Sequence, residues 1–164
     1  VISWPKGIKT RGEIRAQFTH LIDVVPTILE VAGIPMPEVI DGVRQKPLEG
    51  VSMVYTFDDA KGKERHTTQY FELAGNRGLY HDGWMACTHP LRLPWITVGA
   101  EPNPDDFQWE LYHVAEDFSQ ANNLATKDPE KLKELKGKFG KDGGFRKGGF
   151  GKGKKKKEDG KEEG

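Results

Sequence analysis

The segment LIDVVPTILEVAGIPMP, from Leu21 to Pro37, constrains the fold of this chain more than any other. Asp23 stands where a helix N-cap belongs, and Pro26 falls in the first turn, where a missing amide hydrogen is harmless. Val24, Val25, Ile28, Leu29, Val31 and Ala32 cover most of the helix circumference, so the helix is expected to be largely buried. Gly33 can adopt the left-handed conformation that ends a helix, and Pro35 and Pro37 prevent continuation. A helix apolar on nearly all sides needs a second layer to cover it, normally a sheet.

Upstream, Val1 to Trp4 reads as the last part of a buried strand, stopped by Pro5 and Gly7. Downstream, Glu38 to Asp59 is rich in turn residues, among them Asp41-Gly42 and Glu49-Gly50. It reads as a long ordered loop with a short helical piece near Val51 to Phe57. From His66 the pattern becomes β-rich. Thr67 to Leu73, Arg77 to Tyr80 and Trp84 to Thr88 read as strands of an antiparallel meander, with turns at Gly75-Asn76 and His81-Asp82-Gly83. Pro90 to Asp106 reads as a proline-rich loop, Trp109 to His113 as a fourth strand, and Pro129 to Leu135 as a short helix capped by Asp128.

Composition separates a body from a tail. Residues 135–164 carry eleven Lys/Arg against five Asp/Glu, while the rest carries 14 against 20, so a net zero charge conceals +6 and −6. Ten of the 20 glycines fall in the tail, and its apolar content is too low to offset ordering entropy. Residues 136–164 are therefore expected to be a disordered, solvated tail. The Lys154 to Lys157 run could hold phosphates, but Glu158, Asp159, Glu162 and Glu163 follow at once, so nucleic acid is not an expected partner. Cys87 is the single cysteine, which precludes an internal disulfide and gives oxidising export no support. No run approaches the ~20 apolar residues of a membrane span. The chain opens on Val1 without a leader and reads as the interior of a longer protein, so its compartment stays open.

Three blocks together resemble the type I sulfatases of the alkaline phosphatase superfamily, bacterial arylsulfatases in particular. The first is Ile2-Ser3-Trp4-Pro5-Lys6-Gly7 with His20 to Pro35. The second is Asp41-Gly42-Val43 with Glu49-Gly50-Val51-Ser52. The third is Gln69-Tyr70-Phe71-Glu72, Arg77-Gly78-Leu79-Tyr80 and Gly83-Trp84, followed by Glu110-Leu111-Tyr112, Glu116-Asp117 and Asn122-Asn123-Leu124-Ala125. The pattern departs at His113, where the family usually has Asp, and at Phe118, where it has Pro. The resemblance implies an α/β fold, α+β within this stretch. Residues 1–60 would end the large catalytic α/β domain. Residues 61–135 would form a small C-terminal domain, a four-stranded antiparallel sheet with a packed helix.

The same resemblance implies a sulfuric ester hydrolase with a formylglycine nucleophile and a calcium ion held by Asp and Asn oxygens. In the family order these precede the Trp-Pro segment, so no catalytic residue and no metal ligand is assigned here, and the chain alone is expected to be inactive. Cys87-Thr88-His89-Pro90-Leu91-Arg92 is similar to the formylglycine signature, but Pro90 and Arg92 each fall one residue late; a half-buried structural thiol is expected. His20 is expected to cap or pack. His81, His89 and His113 lack metal-ligand spacing and read as structural or surface residues. His66, beside Arg65, is the candidate contact for the sulfate ester substrate, because the small domain can rim the family's substrate pocket. Related phosphonate or phosphate diester hydrolases, and a nucleic-acid module using the basic tail, are the alternatives. With the sheet under its apolar helix mostly missing, the chain is expected to self-associate.

Overall fold

The computed structural model describes residues 1–73, 76–88 and 106–142. Gly75 of the expected turn, His89, the connection from Pro90 to residue 105 and the tail from residue 143 lie outside the described residues. Two helices and two antiparallel sheets make a mixed α+β arrangement. The order is α1 (Val24–Ala32), β1 (Val39–Ile40), β2 (Val43–Arg44), β3 (Thr68–Leu73), β4 (Asn76–His81), β5 (Trp84–Thr88), β6 (Trp109–His113) and α2 (Pro129–Asp142). Short 3₁₀ turns occupy Leu21–Asp23 and Val54–Thr56. The second lies inside the expected helical piece.

Strands β3 to β6 form a meander in sequence order. The register of β4 against β5 follows from a two-residue turn. Asp82 and Gly83 both take positive φ, 45° and 81°, the requirement of a turn whose twist matches the flanking strands. His81 therefore faces Trp84, and alternation does the rest: Leu79, Ala86 and Leu111 share one face. All three are fully buried, and Leu135 of α2, also fully buried, closes over them. Asp128 caps α2 as expected, accepting the Lys131 amide at 3.0 Å. Beyond β6, the Leu124 amide donates to the Leu111 carbonyl at 2.7 Å, and Asn123 Oδ1 accepts the amides of Leu111 and Ala125. The Asn-Leu-Ala stretch thus covers the outer edge of β6.

Four expectations need correction. Val1 to Trp4 is not a strand, because no partner strand pairs with it among the described residues; it leads into a turn in which the Gly7 and Ile8 amides bond the Trp4 carbonyl. Residues 38–45 are not only loop: β1 and β2 form a small ribbon around Asp41 and Gly42, again both at positive φ. α2 continues past Leu135 to Asp142, where Lys136 Nζ lies 5.3 Å from the Trp109 ring centre and anchors the extra turn despite Gly137. α1 ends as expected, with Gly33 at φ 65° and the Ile34 amide bonding the Leu29 carbonyl, yet it is not largely buried. Thr27 is its buried residue, while Val25 and Ile28 are 50% and 60% exposed. Its neighbours are the two 3₁₀ turns, and no sheet covers its other face among the described residues.

Candidate functional site

The chemistry-bearing side chains converge on Asp23, which is fully buried. Its carboxylate does not cap the α1 amides, contrary to the cap expectation. It accepts the His20 amide at 2.8 Å and the Val51 amide at 2.7 Å, and His66 Nδ1 lies 2.8 Å from both its oxygens. A carboxylate only accepts, so Nδ1 of His66 carries the hydrogen. One turn along α1, Thr27 donates to the Asp23 carbonyl and accepts the Met53 amide at 2.9 Å. Two residues four apart on a helix thereby hold two amides two apart on the facing segment, so helical and extended periodicities meet. Gly50 makes the approach feasible. A Cβ there would lie 2.1 Å from the Ile22 carbonyl oxygen.

His66 is 5% exposed and sits edge-on to Phe18, ring centres 5.3 Å apart. Phe18 in turn stacks on Tyr80 at 3.8 Å, and Glu64 accepts both the Phe18 amide and the Tyr80 hydroxyl. Burial, then the Glu64 hydrogen bond, holds the Tyr80 hydroxyl protonated far above the usual phenol range. Arg15 donates to the carbonyls of Thr56 and Phe57 and to Thr10. Asp23, Glu64 and Arg15 thus each satisfy backbone groups from segments distant in sequence. Sequence reasoning missed Glu64 and Thr27; both look like ordinary surface or helix residues, and only their long-range partners reveal them.

On the face of the sheet opposite α2, an open groove runs between His20, Phe71, Asn76, Gly78, Met85 and Cys87. The His20 ring packs edge-on against Phe71 at 5.4 Å. Burial raises the Cys87 thiol from its ordinary 9.0 to about 11, with Glu110 beside it adding to the rise, so this thiol is a poor nucleophile. The other histidines are dispersed. His81 bonds Thr68 Oγ1 at 2.8 Å, and His113 stacks on Trp84 at 4.3 Å.

The fit of a calcium ion can be tested on these residues. Among the described residues no three His, Cys, Asp or Glu side chains are grouped to hold a metal. The Asp23 oxygens are already engaged by two amides and an imidazole. The described residues do not fit a calcium site. Nor is any helix among them long and apolar enough to cross a membrane.

Comparison with known proteins gives this geometry a setting. No protein-family model matches the chain. A protein of Schizosaccharomyces pombe (strain 972 / ATCC 24843) described as an uncharacterized sulfatase is 28% identical to it over 137 residues, 82% of this chain and 23% of that protein. The solved structure of BT4656 in complex with its substrate D-glucosamine-2-N,6-O-disulfate superposes with a TM-score of 0.53 at 20% identity, over 85% of this chain and 26% of that one. A structure from a study of glycosaminoglycan metabolism by Bacteroides thetaiotaomicron, BT33336S-sulf, gives a TM-score of 0.48 at 17% identity, over 73% of this chain and 24% of that one. The chain is sulfatase-like in sequence, and its fold is shared with a segment of BT4656. It spans about a quarter of the length of these relatives.

Proposed function

We propose that this chain is the C-terminal portion of a type I, formylglycine-dependent sulfatase of the bacterial arylsulfatase kind. The whole protein would hydrolyse sulfate esters, releasing a phenol and sulfate from an aryl sulfate. The observation that carries this reading is the sulfatase match through 82% of the chain. The stretch 1–60 would end an alkaline-phosphatase-like domain and the meander would be the small C-terminal domain. Within that protein the chain serves as scaffold. Its motif residues Asp23, Gly50 and Asn123 join backbone segments, and the nucleophile and calcium belong to sequence outside the described residues. His66, held through Nδ1 by Asp23, would meet the substrate ester through Nε2.

The test compares this chain with the whole protein expressed alongside a formylglycine-generating enzyme. The whole protein should release phenol from an aryl sulfate, and the isolated chain with calcium should not. Turnover by the isolated chain would overturn the scaffold reading. A whole protein that cleaves a phosphate diester in preference to the sulfate would overturn the sulfatase reading. In the whole protein His66→Ala should raise KM while kcat is retained; an unchanged KM would remove His66 from the substrate site.

A further inference from the structure

We draw no further inference here: the strongest candidate, the open groove on the inner face of the sheet between His20, Phe71, Gly78 and Met85, has a mainly apolar lining, and nothing in the structure shows what covers it.

Discussion

A carboxylate sealed from water is tolerable only when donors meet it, and Asp23 is met from three directions. Removing one partner of such a buried pair typically costs about 3–5 kcal/mol, because the other partner stays buried without compensation. Asp23→Ala should therefore lower stability by about that much in urea unfolding, and His66→Ala combined with it should add little more. Additive losses would show that the two side chains do not work as a pair. Gly50 makes a second residue-scale case. Its missing Cβ gives clearance to a backbone oxygen, which cannot rotate aside as a side chain can. Gly50→Ala should cost roughly 2–3 kcal/mol, the upper part of the usual overpacking range. Gly33→Ala meets no atom within 4 Å and is strained only by its φ of 65°. It should cost about 1 kcal/mol. Equal losses from the two substitutions would refute the close approach at Gly50. Gly33 was legible in the sequence, since its partners lie within a few residues. The role of Asp23 was not, because Val51 and His66 lie 28 and 43 residues away.

The strands of the large sheet were the most readable elements, and the reason is local. Alternating apolar residues and the Asp82-Gly83 turn specify the register of β4 against β5, so Leu79 and Ala86 were bound to share a face. The β1–β2 ribbon carried the same Asp-Gly signal but is two residues per strand, too short for alternation to register. The burial of α1 was misread because apolar character shows what a helix would cover, not whether the cover is at hand. On the inner face of the sheet, Tyr80 and Tyr112 both pair with Met85, and Cys87 pairs with Gly78. Burial is the first cause of a raised pKa at all three. Cys87 rises from 9.0 to about 11 and Tyr112 from 10.0 to about 12, the latter also through Glu110. The folded sheet keeps protons that the unfolded chain releases, so the unfolded state binds fewer protons and stability falls with rising pH. The loss starts near pH 9 and continues to about 12. The urea midpoint should drop between about pH 8 and pH 10.5, and Cys87→Ala should soften that drop. A midpoint that stays level over this range would mean that the inner face of the sheet is wetter than described.

For the whole molecule the dominant fact is apolar surface in the wrong place. Val25, Ile28, Ile34, Val39 and Val43 are each 50–64% exposed and lie along α1 and the β1–β2 ribbon. Soluble monomers seldom leave patches of this kind uncovered. We expect the isolated chain to self-associate as its concentration rises, visible as growing mass in sedimentation or light scattering. Val25→Lys with Ile28→Glu should suppress the association and leave the far-ultraviolet dichroism of the sheet unchanged. A chain that is monomeric at all concentrations, with or without those substitutions, would contradict this.

The Asn123 contact sets a ceiling on how such association can proceed. A ladder that lengthens without end requires every chain to offer two open strand margins, one to accept a neighbour and one to receive the next. Here the backbone of Leu111 is occupied from within by Asn123 and Leu124. The outer margin of β6 is therefore closed to a neighbouring strand at Leu111, and clusters held by the exposed apolar residues should not grow as a ladder through that strand.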